Sequence, residues 1–180
     1  MKADKPTRKT IRLQDYDYAS NGAYFVTICT HKRRRILSNL VGDGFHGVPE
    51  GYPVPQIELS PIGQEVENSI AYISSRYDGV VGKYVIMPNH VHMIVRLQSG
   101  GHGNPAGGHG NPPLQDVVGR IKSFTTKRYN EMLHTENETL WQRSFYDRII
   151  RTEQEYAEVW RYIDTNPLKW QGDPYYTHTP

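Results

Sequence analysis

Cysteine is nearly absent from this 180-residue chain, and the single Cys29 excludes an internal disulfide framework and any cysteine-rich zinc site. Long apolar runs are missing as well. No stretch approaches a membrane span, and the opening Met1-Lys2-Ala3-Asp4-Lys5 lacks the apolar segment of a signal peptide, so the chain is expected to be cytoplasmic with no membrane partner. Neither sign of charge dominates: 21 Lys and Arg against 19 Asp and Glu leave a net charge of +2, too little to establish nucleic-acid binding by itself. What is plentiful is tyrosine, at 13 copies, so no one tyrosine is a strong clue. The length suits one domain with a real core, and a mean hydropathy of -0.68 marks a polar surface.

Residues 1–21 form a basic N-terminal arm with Lys2, Lys5, Arg8, Lys9 and Arg12. Tyr24 to Thr30 is β-branched and aromatic, a first strand, and it runs into His31-Lys32-Arg33-Arg34-Arg35. A basic cluster held at the end of a core strand suits contact with a phosphate backbone, and a solvated loop is the competing expectation. Residues 42–55 are too rich in Gly and Pro for regular structure, and Gln56 to Leu59 reads as a short strand. Ser60-Pro61 has the form of a helix N-cap followed by Pro in the first turn, and Ile62, Val66, Ile70 and Ile73 continue at helical spacing to about Tyr77. Val80 to Met87 and His90 to Leu97 are strands joined by the Pro88-Asn89 turn. Residues 99–113 carry Gly-Gly-His-Gly-Asn-Pro twice, a low-complexity surface insertion whose His102 and His109 have no rigid frame to hold a metal.

A second helix is predicted from Leu114 to about His134, with Leu114, Val117, Val118, Ile121, Phe124 and Thr125 on one side. Arg120, Lys122, Lys127 and Arg128 are spread around the rest. In Leu140 to Ile150, read as a last strand or extended segment, Trp141, Phe145 and Tyr146 interleave with Arg143, Arg148 and Arg151. That composition suits base stacking with phosphate contact, and equally core packing of the aromatics. A third helix runs from the N-cap Thr152 to Asn166, where Pro167 stops it; its core stripe is Tyr156, Val159, Trp160 and Ile163. Tyr162 and Asn166, four residues apart, are neighbours on its surface.

The chemistry centres on His90-Val91-His92. Strand alternation points both imidazoles to one face, where two neutral rings can share a divalent metal ion; hydrogen bonding in a half-buried sheet is the plainer alternative. A tyrosine hydroxyl, with a reference pKa of about 10, is a poor nucleophile until a metal polarises its target. A phosphodiester is such a target. Tyr129 and Tyr146 also sit among basic residues, as Tyr162 sits beside Asn166, so the chemistry alone leaves the reacting tyrosine open.

Four segments in order along the chain, Tyr24-Phe25-Val26-Thr27, Pro88-Asn89-His90-Val91-His92, Trp141 to Arg151 and Tyr162 to Trp170, together resemble the single-tyrosine HUH transposases, and most closely their REP-associated branch. The resemblance spans roughly residues 22–170. It implies an α+β fold, a ferredoxin-like or RRM-like antiparallel sheet with the histidines on a central strand and the nucleophilic tyrosine on the C-terminal helix. It also implies His90, His92 and Asn166 as ligands of Mg²⁺ or Mn²⁺, Tyr162 as nucleophile, and no nucleotide cofactor. The partner it implies is single-stranded hairpin DNA, joined through a 5′-phosphotyrosine, with a monomer favoured over a homodimer and residence near the nucleoid. Asn where insertion-sequence relatives usually place Gln points to the REP-associated branch. Arg33, Arg34, Arg35, Lys122, Lys127, Arg128, Trp141, Arg143 and Arg148 are the expected DNA contacts. Two departures stand out: the Gly-His-Gly-Asn-Pro repeat, and a tail of only residues 171–180 where some relatives carry a longer one. A non-catalytic hairpin binder and a phosphodiesterase using water are the alternatives.

Overall fold

The structure, a computed structural model, is described over residues 22–41, 55–77, 80–97 and 113–176. The basic arm, the Gly/Pro-rich stretches with His102 and His109, and the last four residues lie outside the described residues. In chain order the elements are β1 (Gly22–Cys29), β2 (Ser38–Val41), β3 (Gln56–Leu59), α1 (Pro61–Arg76), β4 (Val81–Met87), β5 (His90–Leu97), α2 (Leu114–Leu133), β6 (Tyr146–Ile150) and α3 (Glu153–Thr165), with short 3₁₀ turns at His31–Arg33 and Pro167–Gly172.

The main sheet has the strand order β4-β5-β1-β6, antiparallel throughout. With β2, β3 and α3 set aside, the chain runs β-α-β-β-α-β, and the outer-inner order of its strands is that of the expected ferredoxin-like sheet. Period-two alternation divides the sheet into two faces. Tyr24, Val26 and Ile28 of β1 and Val91, Met93 and Val95 of β5 are buried with Val66 and Ile70 of α1 and Val117 and Ile121 of α2 in one core. The other face carries Phe25, Thr27, His90, His92 and Ile94, and α3 covers part of it through Val159 and Ile163 together with Trp170. The histidines therefore lie opposite the two-helix core, on the face that α3 closes.

The helix starts follow the local chemistry read from the sequence. Ser60 Oγ accepts from Gly63 N at 3.1 Å ahead of Pro61, and Thr152 Oγ1 accepts from Glu155 N at 3.1 Å. One strand is unexpected, one has narrower bounds, and one expectation about the core needs correction. Ser38–Val41 is a strand that too short and polar a pattern concealed; it pairs with β3 in a separate two-stranded sheet. The last strand begins only at Tyr146, because Leu140 and Trp141 turn inward and Trp141 makes an isolated bridge to Thr30. Phe124 and Trp160, expected to face the core, are exposed; Thr125 takes the inward position on α2, and Trp160 lies against Lys83 and Tyr156.

The start of α1 packs so closely on the chain after β1 that a Cβ at Gly63 would sit 1.9 Å from the Leu37 carbonyl oxygen, whereas one at Gly119 in α2 meets nothing within 4 Å. Gly63→Ala is expected to destabilise the fold by about 1–3 kcal/mol through overpacking. Gly119→Ala should stabilise it by about 0.5–1 kcal/mol. Urea unfolding of the two variants checks the opposite signs.

Candidate active site

The turn before β5 sets the orientation of the first histidine. Asn89 is fully buried, and its Nδ2 donates to the carbonyls of Tyr175 at 2.8 Å and Arg33 at 3.3 Å, which leaves Oδ1 at 2.8 Å from His90 Nδ1. An amide oxygen only accepts, so His90 carries its proton on Nδ1 and its Nε2 is a bare lone pair. That Nε2 is buried with no hydrogen-bond partner among the described residues. His92 is held from β1: Thr27, its register partner, places Oγ1 2.8 Å from Nδ1. On the other side of the ring, the Tyr162 hydroxyl is hydrogen-bonded to Nε2 at 3.3 Å. The ring centroids of His90 and His92 are 4.4 Å apart. Burial pushes both pKa values down, that of His90 well below the usual imidazole range, with His92 and Arg33 adding to the effect, and that of His92 to about 3.

Tyr162 projects from α3, half-buried, with its ring 5.8 Å from that of Phe25 in an edge-on contact. Burial, reinforced by the charge of Asp173, raises its hydroxyl pKa to about 12. One turn on, at the end of α3, Asn166 is buried and its Nδ2 donates to Asp173 Oδ2 at 2.8 Å. Only the NH₂ side of the amide can serve a carboxylate, so Oδ1 is turned away from Asp173, and it too is buried without a partner among the described residues. Asp173 Oδ1 accepts from Tyr175 N at 2.7 Å. One ligand atom from each of His90, His92 and Asp173 lies within 4.8 Å of the others. Two imidazole lone pairs with neighbouring amide and carboxylate oxygens are a donor set that fits a divalent cation, and the unpartnered His90 Nε2 and Asn166 Oδ1 are the atoms such an ion would satisfy.

Asp173 and Tyr175 were not among the residues the sequence singled out. The Tyr175 ring lies 4.7 Å from that of His90 and 5.6 Å from that of His92, so the segment after Trp170 is a wall of the site. The only local signal was a Gly-Asp-Pro turn at 172–174, which says nothing about what the turn packs on.

The basic residues divide into groups. Arg33 donates to Pro174 O at 3.0 Å and lies over the Tyr175 ring at 5.1 Å, and Arg35 lies over the rings of Trp170 and Tyr176. Arg34 donates to Thr139 O at 2.6 Å and lies over Tyr129. All three are tied into intramolecular contacts. Lys122 donates to the Gln142 and Arg143 carbonyls at 2.6 and 3.1 Å. Lys127 and Arg128 pair with Glu131, and Arg128 also with Glu65, on a helix that covers the face opposite the histidines. Trp141 is a correction: it is buried, with its indole N–H donating to Thr125 Oγ1 at 2.8 Å, so its ring is core and not a stacking platform. Arg143 and Arg148 remain exposed, and Arg148 lies on the same sheet face as the histidines.

A ferredoxin-like sheet with two buried, neutral histidines on a central strand, faced by a tyrosine from a helix on the open side, defines an enzyme of the tyrosine HUH class. The family described as "Transposase IS200 like" matches residues 55–166, a span holding both histidines, Tyr162 and Asn166, and the chain belongs to that family, whose enzymes carry out DNA transposition. It is 29% identical over 181 residues to an uncharacterized protein of Haemophilus influenzae, covering 94% of this chain and 93% of that one. The structure of a REP-associated tyrosine transposase bound to a REP hairpin shares the fold with a TM-score of 0.56 at 18% identity, covering 88% of this chain and 73% of that chain. Among the described residues no helix is long and apolar enough to cross a membrane.

The two histidines make stability depend on pH. Their pKa values are lower folded than the unfolded value of about 6.5, so unfolding takes up protons and stability falls as pH drops below that value. With chelator present, the slope should approach about 2.7 kcal/mol per pH unit once both unfolded rings protonate. Urea unfolding between pH 7 and 5 measures it, and His90→Gln/His92→Gln should remove most of the slope.

Proposed function

We propose that this protein is a metal-dependent single-strand DNA nickase and strand-transferase that acts on hairpin DNA through a covalent 5′-phosphotyrosine. The observation that carries this reading is the Tyr162 hydroxyl at 3.3 Å from His92 Nε2, one helical turn from Asn166, whose Oδ1, like Nε2 of His90, has no hydrogen-bond partner among the described residues. Family membership and the fold shared with a hairpin-bound relative support it.

In this reading His90, His92 and Asn166 hold Mg²⁺ or Mn²⁺. The ion, when bound, supplies positive charge that offsets the phosphate and favours ionisation of a phenol. The protein's own residues do the rest. Asn89 holds the Nδ1 proton of His90, and Thr27 fixes the ring of His92 through its Nδ1, so that both Nε2 atoms face the site. Tyr162 oxygen attacks phosphorus as its proton passes to solvent water, the bond from phosphorus to O3′ breaks, and O3′ takes a proton from solvent to become a free 3′-hydroxyl. The bond energy is conserved in the tyrosine ester, so reversal with a different 3′-hydroxyl gives strand transfer. Burial of His92 and Trp170 beside the reacting groups limits water that would compete for the ester. Asp173 is a positioning residue, because its hydrogen bond fixes which end of the Asn166 amide faces the ion. A monomer working at the nucleoid fits this substrate.

End-labelled hairpin oligonucleotides from DNA flanking the gene, incubated with Mn²⁺ or with chelator and run on a denaturing gel, test the reading. A metal-dependent protein-DNA adduct that Tyr162→Phe abolishes, with hairpin binding retained, is expected. Cleavage that survives Tyr162→Phe would instead mean water as nucleophile, and binding without cleavage a binding module.

Asp173→Ala should weaken Mn²⁺ binding, followed by titration calorimetry, by about 10–100-fold while hairpin affinity in chelator is unchanged. Asp173→Asn, which can still accept from the Asn166 amide, should lose much less. Equal losses would make Asp173 a direct ligand.

A further inference from the structure

On the β6 side of Tyr162 the sheet face is open. The strand registers line up two rows across it, His92-Thr27-Tyr146 and Ile94-Phe25-Arg148. Helix α3 covers Ile94 and Phe25, but Tyr146 is 42% exposed, and Arg148 is exposed with no hydrogen bond or ion pair among the described residues. Between β6 and α3 lies a cleft of about 340 Å³ lined by Phe25, Tyr146, Arg148, Glu158, Val159 and Tyr162. Its floor is aromatic. The Phe25 ring meets Tyr146 edge-on at 6.4 Å and Tyr162 edge-on at 5.8 Å. At its rim stands Glu158, whose Oε1 accepts from Gln154 at 3.0 Å, leaving Oε2 with acceptor capacity.

We propose that this cleft is a nucleobase subsite for the nucleotide next to the scissile phosphate, with Tyr146 as stacking platform, Arg148 as phosphate partner and Glu158 as reader of the base edge. The inference rests on the transposase reading, because Tyr162 is both nucleophile and cleft wall. A strand whose phosphate reaches the phenolic oxygen can lay its neighbouring nucleotide in this cleft against the exposed ring of Tyr146, with part-buried Phe25 beneath. A guanidinium without an ion pair among the described residues, beside the exposed ring of Tyr146, complements a single strand, which offers a charged backbone and a base with both π faces free. A carboxylate only accepts hydrogen bonds, so Glu158 favours bases that present an amino group. Thymine, whose one ring N–H is flanked by two carbonyl oxygens, is the disfavoured occupant.

The test uses the full chain with the hairpin oligonucleotide cleaved in the adduct assay, in chelator so that no chemistry occurs, and reads affinity by fluorescence anisotropy. An abasic nucleotide next to the cleaved phosphate should weaken binding by roughly 5- to 100-fold. Tyr146→Ala should weaken binding to the intact strand to a similar degree and be almost insensitive to the abasic change, since both remove one stack. Arg148→Gln should lower affinity whatever the base and reduce the salt slope by about one. Glu158→Gln should erase the penalty for thymine at that position. As an independent readout, 2-aminopurine placed there should be quenched by the wild-type protein and not by Tyr146→Ala. Additive losses from Tyr146→Ala and the abasic strand, with unchanged 2-aminopurine emission, would overturn the subsite while leaving the transposase reading intact. Failure to bind any hairpin would overturn both.

Discussion

The site depends on burying two imidazoles side by side on a sheet face with the outer nitrogen of each ring already engaged. Desolvation keeps both rings neutral, the Asn89 amide oxygen determines which nitrogen of His90 is bare, and Thr27 holds the His92 ring in place through its Nδ1. Those two partners come from different places, one from the turn that starts β5 and one from β1. The register that sets Thr27 opposite His92 therefore matters as much as the histidines themselves. A one-residue slip would bring Val91 to this face and turn both imidazoles into the two-helix core.

That arrangement draws in the end of the chain. Asn89 can present its oxygen to His90 only because its NH₂ is satisfied by the carbonyls of Arg33 and Tyr175. Arg33 in turn holds Pro174 and Tyr175, and Arg35 lies over Trp170 and Tyr176. Asp173, delivered by the same segment, orients Asn166 and raises the pKa of Tyr162. The segment following the catalytic helix is thus a structural part of the site. Burial, with the Asp173 charge adding to it, raises the Tyr162 hydroxyl pKa to about 12, so the phenol is protonated at neutral pH.

Much of this could be read locally. Alternation along His90-Val91-His92 placed both rings on one face, Ser60-Pro61 and Thr152 marked helix starts, and the four-residue spacing of Tyr162 and Asn166 made them neighbours, because strand and helix periods act over a few residues. Contacts between distant segments were not legible. Nothing near Asp173 indicates that it lies by His90. The basic residues misled for a related reason. Charge along a chain does not reveal its partner, and Lys122, Arg34 and Arg128 turned out to serve backbone carbonyls and glutamates of this protein. Trp141 misled similarly, since an aromatic among arginines looks the same whether its N–H faces solvent or Thr125.

The central claim is that the bare nitrogens of His90 and His92 and the free oxygen of Asn166 converge on one cation beside Tyr162. Anomalous diffraction at the manganese edge from crystals of the protein grown with Mn²⁺ tests it most directly. The account predicts one strong peak within bonding distance of His90 Nε2, His92 Nε2 and Asn166 Oδ1. A peak ligated elsewhere, or a well-ordered site with the Tyr162 hydroxyl still hydrogen-bonded to His92 and no peak, would contradict it.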